Sequence, residues 1–158
     1  MHPTTEPDLS PSEVRARILS EHVFIRSRAE QLLELIQRVR AGDRSAEQAL
    51  IQEGCAFLED LIRHIEHENR VLVPALREID AWGEVRADEV LAEHREQVAE
   101  ARSLIEALAD AFTRASVAAD QLEDFLAILA TDMASEERLL LSPDLLRDDV
   151  VGIDVEGG

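Results

Sequence analysis

Four stretches of the chain repeat apolar residues at helical spacing, and none alternates strictly for long enough to make a strand. From Ser10 to Gly42, Val14, Ile18, Ile25, Ala29, Leu32, Ile36 and Val39 recur at steps of three, four and seven. That draws one stripe down a long helix. Ser10-Pro11-Ser12-Glu13 signals its start, with a serine cap, a proline at the first helical position and a glutamate three after the cap. Ala41-Gly42 closes it. Ser45 with Gln48 caps a second helix, whose stripe runs Leu50, Gly54, Phe57, Leu61, Val71 and Leu72 until Pro74 interrupts it. Residues 75–82 add a short continuation ending near Trp82-Gly83. A third helix spans about Glu84 to Phe112 through Val90, Leu91, Val98, Ala101, Ile105 and Leu108. The fourth begins near Ser116, runs through Leu122, Phe125, Leu129, Leu139 and Leu140, and stops at Pro143. Four amphipathic helices with short connections make an all-α, up-down-up-down four-helix bundle the simplest topology. It occupies residues 10–143, between a loose tail at 1–9 and an acidic tail at 144–158 that includes Val150, Val151 and Ile153.

At 158 residues the chain suits one domain with one core, and an apolar fraction of 46% argues against wholesale disorder. Its 34 acidic residues against 16 basic ones leave a net charge of −18. A surface of that sign repels phosphate backbones and anionic lipid, so neither a nucleic acid nor a membrane is an expected partner. Every basic residue is Arg; without Lys there is no Schiff base and no P-loop, and without Tyr no tyrosyl radical. Cys55 is the lone thiol, which leaves no intrachain disulfide and no cysteine-based zinc site. The first thirty residues show no basic segment followed by an apolar one, and no apolar run approaches the ~20 residues a membrane helix needs. A soluble cytoplasmic protein is the resulting expectation.

The informative residues are those that interrupt the stripes. His22 falls four after Ile18 and three before Ile25. His64 is three after Leu61, and Glu68 follows one turn later on the same face. His94 is three after Leu91 and four before Val98. Asp132 is three after Leu129, with Glu136 four further on. Each helix therefore aims at least one metal-ligand type of side chain at the interior. Their heights agree as well. His22 lies 11 residues after Pro11 and His94 lies 11 after Gly83, while Glu68 and His64 precede Pro74 by 6 and 10, and Glu136 and Asp132 precede Pro143 by 7 and 11. At ~1.5 Å per residue all six fall in one layer, roughly 10–16 Å from one end of an up-down bundle. An internal repeat supports the pairing: the segment from His64 to Val73 aligns with that from Asp132 to Leu141, so Asp132 stands where the first half has His.

Taken singly, each of these residues has a plainer explanation. One histidine on an apolar stripe is more often a satisfied core residue, and HxxxE on a helix also serves simple ion pairs. Glu68 and Glu136 then pair with Arg70 and Arg138. That account does not explain six such groups converging from four helices, because burying several carboxylates together calls for cations. His67, three after His64, reads as a surface residue or a supporting partner, Glu137 as exposed, Cys55 as small apolar packing and Trp82 as a cover for the bundle end. His2 sits in the tail without a signal.

The sequence resembles the hemerythrin-like (HHE cation-binding) family in Glu21-His22, in RHIEHENRVLVPAL at 63–76, in AEHREQ at 92–97 and in SEERLLLSP at 135–143, over about residues 12–143. The resemblance implies a four-helix bundle holding two non-haem irons, joined by an oxo or hydroxo bridge. His22 and His64 would serve one iron and His94 the other, with Glu68 and Glu136 as bridging carboxylates. The family usually has His where this chain has Asp132, so the set becomes three imidazoles and three carboxylates. Val98 stands one turn after His94 in place of a second His, which is closer to the bacterial pattern than to the oxygen-carrier one.

Fewer nitrogen donors and more anionic oxygens favour the ferric state. The expectation is an open iron position that binds or reacts with O₂, peroxide or nitric oxide, in redox sensing, detoxification or iron handling rather than oxygen carriage. Manganese or zinc at the same ligands is the lesser alternative. A metal-free or degenerate bundle acting as a protein-interaction or regulatory module is the second class, with Asp132 marking lost ligation. Ferritin-like di-iron bundles do not fit, since no His here has Glu three residues before it.

Overall fold

A computed structural model of the chain describes residues 8–110 and 113–149. They form four helices: α1 (Pro11–Arg40), α2 (Arg44–Ile79), α3 (Gly83–Ala109) and α4 (Ala115–Leu139). No strand occurs among the described residues. Connections at 41–43, 80–82 and 110–114 are short enough to turn each helix back on its predecessor, and α4 closes the ring against α1.

The first helix begins as its capping signal predicts. Ser10 Oγ accepts from the Glu13 backbone N–H at 3.3 Å, and Glu13 Oε2 accepts from the Ser10 N–H at 2.9 Å. At its far end Gly42 adopts φ +86°, a conformation open to glycine at little cost, and the chain reverses there. The second helix departs from expectation at both ends. Its cap is Asp43, whose Oδ1 accepts from the Ser45 N–H at 3.0 Å, while Arg38 holds the other carboxylate oxygen. Ser45 therefore lies inside the first turn and is not the cap.

Pro74 also fails to stop α2, which continues unbroken to Ile79. A mid-helix proline forfeits a hydrogen bond, but Leu72, Val73 and Leu76 on either side of it are all buried, and that packing outweighs the local preference. The third helix ends at Ala109, three residues short of Phe112, which lies outside the described residues.

The core is two apolar clusters. The larger joins Ile25, Leu32, Ile36, Leu50, Phe57, Leu58, Leu61, Ala101, Leu122 and Leu129, with Cys55 packed partly buried against it. The smaller joins Val14, Ile18, Leu72, Leu76, Ala87, Val90, Leu141 and Leu146 near the α2–α3 connection. Beyond α4 the chain folds over this end: Leu141 and Leu146 are buried, and Asp148 accepts from the Ser12 N–H at 2.9 Å. Trp82 does not cover that end, being 67% exposed, whereas Leu141 and Leu146 are buried there. His2, Val150, Val151 and Ile153 lie outside the described residues. No helix among the described residues is long and apolar enough to cross a membrane.

Candidate metal centre

A polar layer separates the two clusters. On α1, His22 falls between Ile18 of the smaller cluster and Ile25 of the larger; on α3, His94 falls between Val90 and Ala101. His64 and Glu68 occupy the matching stretch of α2 between Leu61 and Leu72, and Glu136 that of α4 between Met133 and Leu141. His22, His64, Glu68 and His94 are buried, and Glu136 is 16% exposed. Helical periodicity alone puts these residues in the core-facing rows, which is why polar side chains there are largely withdrawn from water.

Glu68 is the hub. Its Oε1 lies 2.6 Å from His64 Nε2 and 3.2 Å from His22 Nε2, while its Oε2 lies 3.0 Å from His94 Nε2. Glu136 repeats the arrangement more loosely, with Oε1 3.3 Å from His22 Nε2 and Oε2 3.9 Å from His94 Nε2. Each carboxylate thus turns one oxygen to the His22 side and the other to the His94 side. Two groups of candidate ligands result, His22–His64–Glu68 and Glu68–His94–Glu136, each with donor atoms within 4.8 Å of one another. Glu136 Oε1 is buried with no hydrogen-bond partner among the described residues, and faces the His22 ring only at ion-pair distance. Imidazole nitrogens with carboxylate oxygens form a donor set suited to iron, manganese or zinc. The residues fit a metal pair.

The outer ring nitrogens are held as well. His22 Nδ1 donates to Glu137 Oε2 at 3.1 Å, and His94 Nδ1 donates to Asn69 Oδ1 at 2.5 Å. Those bonds hold each Nδ1–H outward, so that Nε2 is the nitrogen facing the centre and the one a metal would take on displacing its proton. His64 Nδ1 is 3.5 Å from Glu21 Oε2, an ion-pair distance without hydrogen-bond geometry. His67 turns away from the centre and its Nδ1 donates to Glu21 at 3.1 Å.

Burial opposes charge on these rings, yet the carboxylates prevail. Glu136 and Glu68 raise His22 to about 10, Glu21 and Glu68 raise His64 to about 9, and Glu136 and Glu68 raise His94 to about 9. Burial would raise Glu68, but the three rings hold it well below the usual carboxylate range. Without metal, protons supply the positive charge; a metal must displace them.

Five of the six expected ligands are brought together: His22, His64, Glu68, His94 and Glu136. Asp132 belongs to neither group. It sits at the edge of the small cavity beside them, where its Oδ2 accepts from Gln97 Nε2 at 3.0 Å. Glu137 is not the free surface residue its position suggested, since it meets both His22 and Arg26. Sequence reading passed over Glu21, Arg26, Asn69 and Gln97 too. The available signal was adjacency: Glu21, Asn69 and Glu137 each neighbour a core-facing His22, Glu68 or Glu136, one helical step round toward the next helix. His64 also lines a groove of about 360 Å³ between α1 and α2, walled by Phe24, Ile25, Phe57 and Leu61.

A family model for the hemerythrin HHE cation-binding domain matches residues 13–142. No curated protein and no solved structure gives a significant match.

Proposed function

The chain belongs to the hemerythrin HHE cation-binding family, and on that premise we propose that it is a non-haem di-iron protein acting on O₂, peroxide or nitric oxide. The observation that carries this reading is the split of both carboxylates, one oxygen of Glu68 and one of Glu136 toward each side of the centre. His22 and His64 would hold one iron and His94 the other, with Glu68 and Glu136 each giving an oxygen to both. Asp132 is proposed as a further, weaker oxygen donor to the second, one turn before Glu136 and reaching it only by releasing Gln97.

Two irons there would supply exchangeable electrons and an open position for a small ligand. The chain's own contribution is to hold the Nε2 lone pairs inward, exclude bulk water with the apolar clusters on either side, and admit small molecules. The groove beside His64 suits the last task, since Phe24, Ile25, Phe57 and Leu61 give it an apolar surface alongside the charged Glu21, Arg28, Asp60 and Arg63, and Phe24 is exposed. A donor set with as many carboxylates as imidazoles, once Asp132 is counted, stabilises ferric iron more than an imidazole-rich one, which favours redox sensing, detoxification or iron handling over reversible carriage.

Metal stoichiometry after anaerobic reconstitution, with optical spectra before and after O₂, peroxide and nitric oxide, tests the proposal. Two irons per chain and a spectrum that changes on exposure are expected. A stably folded chain that takes up no iron would instead leave the metal-free, regulatory reading, which the engagement of Asp132 with Gln97 favours. A reversible, long-lived oxygen spectrum would restore carriage.

A further inference from the structure

The three imidazoles of the centre have unlike partners behind them. His22 Nδ1 donates to a carboxylate, Glu137, at 3.1 Å. His94 Nδ1 donates to a neutral amide, Asn69, at 2.5 Å. His64 Nδ1 has no hydrogen bond, and the nearby Glu21 is engaged by His67. Arg26 grips Glu137 with a two-pronged fork, Nη1 to Oε1 at 3.0 Å and Nη2 to Oε2 at 2.5 Å. Consecutive residues of α4 therefore do different work: Glu136 points at the centre, and Glu137 reaches round to the back of a ring on α1.

We propose that Glu137, clamped by Arg26, is a positioning residue that lowers the reduction potential of the iron beside His22 and His64, opposing the difference that the two donor sets alone would give. This rests on the di-iron reading above. A carboxylate behind an imidazole draws on its N–H proton and leaves the other nitrogen a stronger donor, which stabilises the higher oxidation state; an amide does this less. Arg26 is one contact further from the ring and 41% exposed, so water screens it. It fixes the carboxylate in place while cancelling only part of its charge. The ring of His22 is buried, so the orientation set by Glu137 is kept.

The test uses the full chain loaded with ⁵⁷Fe, followed by Mössbauer spectroscopy during a redox titration. Glu137→Gln keeps an acceptor of the same shape without its charge. It should raise the potential of the iron beside His22 and weaken that iron about 10-fold. Asn69→Asp places a carboxylate behind His94 and should lower the potential of the other iron. Arg26→Gln bares the charge of Glu137 and should shift the His22-side iron opposite to Glu137→Gln, a reversal that a merely structural role does not produce. An unchanged potential in Glu137→Gln overturns the proposal, as do shifts of the same sign in Glu137→Gln and Arg26→Gln. If Glu137→Gln loses iron or fails to fold, the sign of the Arg26→Gln shift decides. A wild-type chain that takes up no iron overturns the di-iron reading and this inference with it.

Discussion

The two halves of the bundle are built on one plan and finished differently. The α1–α2 half delivers His22, His64 and Glu68 into a single group. In the α3–α4 half, His94 and Glu136 take the corresponding places, but Asp132, aligned with His64, is held at the edge by Gln97. The reason is reach and charge. An imidazole one turn before the bridging glutamate spans the distance to a carboxylate, as the 2.6 Å contact between His64 Nε2 and Glu68 shows. A short carboxylate in that position meets the like charges of Glu68 and Glu136, and finds an amide donor instead. One half therefore assembles its candidate ligands through helix packing alone, while the other leaves Asp132 outside its group.

The largest expected effect comes from removing what the halves share. Glu68→Ala takes an oxygen from each group, so uptake should fall from two metals to none. It also strips the compensating charge from three buried rings, which should destabilise the metal-free chain by about 3–5 kcal/mol in urea unfolding. Retention of both metals would break the bridging role. His22→Ala and His94→Ala come next. Each should leave one metal of the two, and the surviving metal should differ between them; loss of both in either variant would mean the halves cannot load separately.

Acidity should push the two states of the protein in opposite directions. In the metal-free chain the rings are raised from 6.5 to about 9 or 10. Their stabilisation is complete below pH 6.5 and is lost as pH rises through 9 to 10. Glu68, held below its ordinary 4.5, contributes above that value and loses its contribution as pH falls through its depressed one. Metal uptake, which releases ring protons, should strengthen with pH over the same range. Titrating metal affinity and metal-free melting temperature together checks both slopes, and parallel slopes would contradict the proton–metal exchange.

The smallest effects belong to the asymmetry itself. Asp132→Ala should weaken the second metal about 10-fold and leave the first unchanged, whereas Gln97→Leu, by freeing Asp132, should tighten it. Competition with a chelator measures both. Equal effects on the two metals would show that Asp132 serves the centre as a whole.

Much of this was legible beforehand. Four stripes at steps of three and four specify the helices, and the Ser10–Glu13 capping box specifies where the first begins. The level of His22, Glu68, His94 and Glu136 follows from counting residues to each helix end, because a helix has a fixed rise. Pro74 was misleading for a physical reason: a local penalty of a few kcal/mol is overridden by the burial of Leu72, Val73 and Leu76 around it. Asp43 was overlooked as a cap because Ser45 offers the same chemistry two residues later, and only the Arg38 contact decides between them.

What the sequence by itself determined was periodicity, and with it the fold, the level of His22, His64, Glu68, His94 and Glu136, and the family. Those follow from one-dimensional spacing, since backbone geometry converts position into angle and height. The tertiary structure alone decided the partners. That Glu137 stands behind His22, Asn69 behind His94, and Gln97 beside Asp132 depends on how neighbouring helices are rotated against one another. Residues one step off the core-facing row look solvent-exposed on a single helix, and only the packed bundle shows which of them meet another chain segment.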